Sequence, residues 1–126
     1  MLLITATTAL AATYVGRAVE DPRVRVSFAR EGQLIKRFTI ERARFFCTDG
    51  DRFRADTRVG RMRVRRTPEG DRRFAGTFSN ENGDQHARVR GLLLRGGRAR
   101  GGYRLSATFD DVGCTTRSRE WRARRQ

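Results

Sequence analysis

Apolar and polar residues alternate one for one along most of this chain, and that period leaves few folds open. Arg98, Arg100 and Arg104 interleave with Ala99, Gly101, Tyr103, Leu105, Ala107 and Phe109; Arg52, Arg54 and Arg58 interleave with Phe53, Ala55, Thr57 and Val59. Successive side chains of a strand point to opposite faces, so each run reads as a half-buried β-strand with its arginines on the wet face. No segment sustains a 3.6-residue apolar period over three turns. Together these observations predict an all-β protein.

Turn residues punctuate the pattern. Asp21-Pro22, Glu31-Gly32, Asp49-Gly50-Asp51, Pro68-Glu69-Gly70-Asp71, Asn82-Gly83, Gly96-Gly97 and Asp110-Asp111-Val112-Gly113 carry the residues that turns require. They separate eight expected strands, near 13–19, 23–30, 33–47, 52–66, 72–80, 85–94, 98–109 and 114–124. Short turns between regularly spaced strands predict an antiparallel up-and-down meander. Asn82-Gly83 suits a type I′ hairpin turn, whose two central residues both take positive φ. The inward-facing set changes parity at Gly60 and again between Ile40 and Ala43, which predicts a bulge at Gly60 and a second near Glu41-Arg42.

The two cysteines bear on the strand count. If Val59-Gly60-Arg61 is a kink within one long fourth strand, Cys47 and Cys114 both fall beside turns at one end of the meander. An extra hairpin there would put them at opposite ends, beyond the roughly 7 Å that a disulfide spans between Cα atoms. Eight strands and a Cys47–Cys114 disulfide form the consistent pair.

Eight antiparallel strands with no helix must hide their edges, and closure into a small barrel does so; a two-sheet β-sandwich is the alternative. The expected core is Val24, Val26, Phe28, Phe38, Ile40, Phe53, Phe74, Phe78, Val89, Leu93, Tyr103, Leu105, Phe109 and Trp121. A barrel of this size is either filled by side chains or holds one small ligand. The aromatic content favours filling. The hollow alternative requires a cavity near Phe28, Phe53, Tyr103 and Trp121.

With 126 residues the chain makes one domain, expected over 13–126. Residues 1–12 are uncharged in their side chains and small or apolar, and Ala9-Leu10-Ala11 fits the pattern that precedes a signal-peptidase cut. They read as part of a signal sequence, or else as a first strand or ragged terminus. A paired set of cysteines fits the same export reading, which places the protein outside the cell. The stretch is too short to serve as a transmembrane helix.

Charge supplies the functional signal. Lys and Arg number 28 against 14 Asp and Glu, for a net +14, and the pI is near 11.6. GC-rich codon usage accounts for arginine in place of lysine but not for this excess. A surface of that sign attracts polyanions, whether nucleic acid, an anionic cell-wall polymer or an acidic surface. Arg61, Arg63, Arg65, Arg66, Arg72 and Arg73 crowd one hairpin, and Arg88, Arg90, Arg98, Arg100 and Arg104 face outward from the next-but-one. Guanidinium forks grip phosphate and carboxylate in bidentate fashion. The aromatics fall in the inward phase, so these eleven arginines suit sequence-independent contact rather than base readout.

Catalytic and metal chemistry find little support. His86, the single histidine, is expected at the wet tip of the Asn82-Gly83 turn. The acidic pairs Asp49 with Asp51, Glu81 with Asp84 and Asp110 with Asp111 all lie in turns, where such residues cap the backbone. Two cysteines and one histidine fall short of a four-ligand zinc site. The segment from Arg95 to Gly102 has the look of an RGG tract but resolves into a turn followed by an alternating strand. No catalytic residue, metal or cofactor is expected.

Short motifs run the length of the chain: Tyr14-Val15-Gly16-Arg17, Val24-Arg25-Val26-Ser27-Phe28, Cys47-Thr48-Asp49-Gly50, Phe74-Ala75-Gly76-Thr77-Phe78, Arg100-Gly101-Gly102-Tyr103, and Cys114 followed by Trp121-Arg122-Ala123. In these it resembles small secreted, disulfide-bridged β-domain proteins of high-GC, actinobacteria-like genomes. The resemblance implies a secreted, bridged β-domain and carries no activity with it. In size and meander the chain is similar to avidin-like and lipocalin-like barrels at the level of fold alone. The expectation is a secreted, non-enzymatic barrel that binds anionic partners through arginine-bearing strand faces. The alternatives are a barrel for a small apolar ligand and an extracellular inhibitor or adhesion module.

Overall fold

The computed structural model describes residues 11–126. Met1 to Leu10, and with them most of the signal-like segment, lie outside the described residues. The strands are β1 (Ala12–Ala18), β2 (Arg25–Glu31), β3 (Leu34–Cys47), β4 (Arg52–Arg58), β5 (Met62–Arg63), β6 (Arg65–Arg66), β7 (Arg72–Ser79), β8 (Gln85–Leu94), β9 (Arg98–Phe109), β10 (Val112–Thr115) and β11 (Arg119–Arg125). Every expected strand has a counterpart. The fourth is divided into β4, β5 and β6, and the eighth into β10 and β11. Ala12 already pairs with Arg30, so the first strand begins one residue before the expected boundary of the domain.

All pairings are antiparallel, and the chain forms a barrel. Six strands close a ring in the order β3-β2-β1-β11-β9-β10, with β10 pairing to both β9 and β3. On the far side, β4 and β5 pair with β3, while β8, β7 and β6 follow β9 in succession. The meander neighbours are as the alternation dictates. The ring holds six strands rather than eight because the first half of the last expected strand turns aside, as β10, to cross to β3. Its departure is held by Thr116, which is fully buried. The Thr116 hydroxyl accepts the Leu105 N–H at 2.9 Å and donates to the Arg117 carbonyl at 2.9 Å, replacing ladder bonds where β10 and β11 part. Cys47 and Cys114 stand directly opposite each other on β3 and β10, with Cα atoms 4.0 Å apart, and form the disulfide.

The bulge near Glu41-Arg42 is present: the β3–β4 register shifts between Ile40 and Ala43, and Arg42 takes φ 62°. The backbone groups it frees are satisfied by β4, since the Arg42 N–H donates to Asp56 Oδ1 and its carbonyl accepts Arg54 Nη1, both at 2.8 Å. At Gly60 the strand is interrupted rather than bulged. The β3 register is the same on both sides, Thr39 opposite Arg58 and Ile35 opposite Met62. Parity changes because β3 kinks at the same level, where Arg37 takes φ 53°. The chain runs on without reversing, so there is no extra hairpin at Gly60. Asn82-Gly83 belongs to a longer loop in which only Gly83 has positive φ; the two-residue turn with both φ positive is Asp110-Asp111, at 46° and 66°.

The interior is filled. Phe28 stacks between Tyr14 and Phe38, with ring centroids 4.8 and 5.4 Å away, and Phe74 and Trp121 pack against it at 5.5 and 5.7 Å. Burial of each such ring stabilises by roughly 1.5–3 kcal/mol. Near Phe28, Tyr103 and Trp121 these rings occupy the space that a lipocalin-like ligand would need, whereas Phe53, the fourth residue expected to line it, borders a cleft of about 380 Å³. Three expected core residues are not fully buried, two of them packing against the edge of the core. Phe53 and Phe78 are only partly buried, and Phe109 is 47% exposed.

Candidate anion-binding face

Closing the ring aligns arginines that lie far apart in sequence. Arg65 stands opposite Arg73, Arg73 opposite Leu92, and Leu92 opposite Arg100. The row continues with Arg122 opposite Arg100, Arg17 opposite Arg122, and Arg25 opposite Arg17. It ends on β3, where Glu41 faces Arg25. Directly opposed residues on adjacent strands are about 5 Å apart, so six arginines form a band around the outer wall, interrupted once by Leu92 between Arg73 and Arg100. Each follows from the alternation, because its sequence neighbour is buried: Phe74 beside Arg73, Ala99 near Arg100, Trp121 and Ala123 flanking Arg122, and Ala18 after Arg17.

Two shallow grooves lie along this band. One, of about 690 Å³, is lined by Arg63, Arg65, Arg73, Arg90, Arg100 and Arg122, with Glu120 the single acid. The other, of about 920 Å³, is lined by Arg17, Arg98, Arg100, Arg122 and Arg124 and no acid. They share Arg100 and Arg122. The Arg90 guanidinium lies across Gly102, where a Cβ would stand 2.9 Å from Arg90 Nη2.

Acids do not balance these cations. Among the described residues the ion pairs are Lys36–Glu31, Arg54–Asp21, Arg73–Asp71 and Arg119–Glu20. All four acids lie in or beside turns at the two ends of the barrel. Only Arg73 of the band is paired, at 3.5 Å and well exposed. Like charges placed directly opposite one another are destabilising, so the band costs the fold something that a bound anion would return.

Of the eleven arginines picked out by sequence, the structure brings Arg63, Arg65, Arg73, Arg90 and Arg100 to one groove and Arg98 to the adjoining one. Arg88 and Arg104 face each other elsewhere on the same wall. Arg66 and Arg72 oppose each other in the other phase of their hairpin, and Arg61 lies apart with Glu31 and Lys36. Sequence reasoning missed Arg17, Arg25, Arg122 and Arg124. Their outward phase was readable, and closure of the meander makes the first and last strands neighbours; which arginines face each other across that seam became visible only with the register.

The mouth beside β2 and β11 is chemically different. Burial works to raise the Asp21 pKa, but the Arg23 N–H at 3.2 Å and the Arg54 guanidinium at 3.0 Å prevail and hold its carboxyl below the usual range. Hydrogen bonding and charge from Lys36 likewise lower Glu31 at the opposite end. Desolvation pushes the Tyr103 phenol, 4% exposed, up to about 12.

His86 is not at a hairpin tip. It sits on β8 opposite Ser79, with Nδ1 2.9 Å from the Ser79 hydroxyl, and both residues are exposed. The turn acids act within their turns: Asp49 accepts the Asp51 N–H at 2.9 Å, and Asp84 accepts from Asn80. Gly96 and Gly97, at φ 75° and 70°, form the turn into β9, so the glycine-rich tract is structured. No group of three His, Cys, Asp or Glu residues that would hold a metal ion occurs among the described residues. No helix among them is long and apolar enough to cross a membrane. Compared with family models, curated proteins and solved structures, the chain matches none.

Proposed function

We propose that this barrel is a secreted, non-enzymatic module that binds anionic polymers electrostatically through the face centred on Arg100 and Arg122. The observation that carries this reading is the cross-strand band Arg65, Arg73, Arg100, Arg122, Arg17 and Arg25, in which one cation of six has an acidic partner. The disulfide supports an oxidising, extracellular setting. Because the band presents guanidiniums and Leu92 but no exposed aromatic ring, recognition rests on phosphate or sulfate groups and their spacing, not on bases.

The test is affinity for heparin and for duplex DNA as a function of salt. Each phosphate neutralised on B-DNA adds about −0.9 to the slope of log K against log salt, so six contacts predict a slope near −5. Changing Arg65, Arg73, Arg100 and Arg122 to Ser should flatten it by about 3.6. The same number of changes outside the band, at the exposed Arg23, Arg58, Arg61 and Arg95, removes the same net charge and should flatten it far less. Equal effects of the two variants would reduce the band to part of a diffuse positive field, and binding indifferent to salt would reject the reading.

A further inference from the structure

The barrel wall is split between β4 and β7. Among the described residues β4 pairs only with β3, and β7 pairs with β8 and, at Arg72 and Arg73 alone, with β6. The two strand edges therefore face each other without a ladder between them. Their polar groups can be located. Asn80 N–H bonds the Gln85 carbonyl at 3.2 Å, which sets the phase of the β7–β8 ladder; with bonded and non-bonded pairs alternating, the backbone groups of Thr77 and Ser79 point away from β8, into the split. The Cys47 N–H to Asp51 carbonyl bond at 2.9 Å sets β3–β4 in the same way, and sends those of Arg52 and Arg54 into the split from the other side. The Phe78 ring spans the lower end, reaching to 3.1 Å from where a Cβ on Gly60 would stand. Above it lies a cleft of about 380 Å³, its lining including Phe45, Leu105 and Ala107 and its upper rim the exposed Phe109.

We infer that this cleft receives an extended segment of a partner protein, added as a strand along the β7 edge. An apolar cleft alone would suit any greasy ligand. Backbone donors and acceptors repeating every second residue on a facing edge are matched only by another extended chain, whose alternate side chains would then enter the cleft. The segment needs small or medium apolar residues at alternate positions and a free N–H at the residues that face β7. The cleft shares no lining residue with the arginine grooves, so this inference stands apart from anion binding.

The probe is a fluorescein-labelled peptide, Glu-Thr-Val-Thr-Val-Thr-Val-Glu, titrated by anisotropy at about 0.5 M salt, where charge attraction is screened to a few ångströms. Saturable binding is expected, weakened about tenfold or more when alternate amides of the peptide are N-methylated, because two ladder bonds are lost. Thr77→Pro should weaken it equally, since that N–H points into the split and not to β8, while leaving the unfolding midpoint near the wild-type value. Should that variant not fold, the methylated peptide on the wild-type protein decides. No peptide binding while Nile red occupies the cleft, or binding indifferent to N-methylation, overturns the inference in favour of a small apolar ligand. Dimers in sedimentation equilibrium that Thr77→Pro dissociates would overturn it in favour of a second copy of this chain.

Discussion

Gly91 offers a sharp test of how the core is assembled. It lies on β8 between Phe74 on β7 and Gly101 on β9. A Cβ on Gly91 would stand 2.1 Å from Phe74 Cζ and within 2.6 Å of two further ring atoms. The ring has nowhere to retreat, being 2% exposed and enclosed by Phe28, Phe38 and Trp121 at 5.5, 6.2 and 6.2 Å. Overpacking of this kind costs about 1–3 kcal/mol and sometimes more, against a gain of about 0.4–1 kcal/mol from a stiffer unfolded chain. Gly91→Ala should therefore destabilise by about 2 kcal/mol, lowering the melting temperature by roughly 8 °C in a domain of this size. Phe74→Leu should itself cost about 1–2 kcal/mol, and adding Gly91→Ala to it should cost nothing further, a coupling of about 2 kcal/mol. Gly101→Ala is the contrast. There the Cβ meets the Arg90 carbonyl oxygen at 2.0 Å and the Gly91 Cα at 2.8 Å, and no side-chain truncation relieves a backbone clash. Urea denaturation followed by far-UV circular dichroism, with the disulfide intact and the m-value unchanged, measures all four variants. Additive costs at Gly91 and Phe74, or a neutral Gly91→Ala, would refute the argument.

Reducing the Cys47–Cys114 bridge, which closes a separation of 67 residues, should cost about 4 kcal/mol on the loop-entropy account and lower the melting temperature by well over 10 °C; calorimetry with and without reductant checks it. Thr116→Val keeps the shape but leaves the Leu105 N–H without the hydroxyl that accepts it, and should cost about 1–3 kcal/mol by denaturation. The Tyr103 phenol, raised by burial from 10 to about 12, stays protonated in the fold while the unfolded chain ionises. Its contribution to stability is complete below pH 10 and is lost as pH rises toward 12, and Tyr103→Phe should remove that part of the alkaline decline. An absorbance titration at about 295 nm should show this tyrosine ionising late.

Much of the architecture could be read from residue order, because it depends on local chemistry. Alternation set the strand phases, Gly and Asp marked the reversals, and the parity change at Ile40 to Ala43 located the Arg42 bulge. What escaped depends on partners distant in sequence. The parting of β10 from β11 carries no Gly or Pro; it rests on the hydroxyl of Thr116 meeting a backbone N–H on another strand. The kink at Arg37 has no local signal either, and is visible only as the counterpart of the interruption at Gly60. For the candidate face, the arginines on two hairpins of the meander are legible in the sequence, whereas those on β1, β2 and β11 join them through a register that no local pattern encodes. The split between β4 and β7 is an absence of pairing, and neither strand advertises it: Phe53 and Phe78 carry the same alternation as residues of the filled core.

The pairing of β1 with β11 sets the order in which this molecule can assemble. Tyr14 faces Arg125, so the last wall contact waits until almost the whole chain is available. Contacts of that separation make for slow folding, since the entropy of bringing distant segments together must be met before the contact rewards it. During synthesis the β1–β2–β3 meander would stand with the free edge of β1 exposed, a template for pairing with other nascent chains. Arg17 projects from the outward face of that strand, where it keeps like-charged neighbours at a distance until Arg122 arrives opposite it. Chains truncated before Arg119 should leave both β1 and β9 without their partner and go to aggregates, not to a smaller barrel.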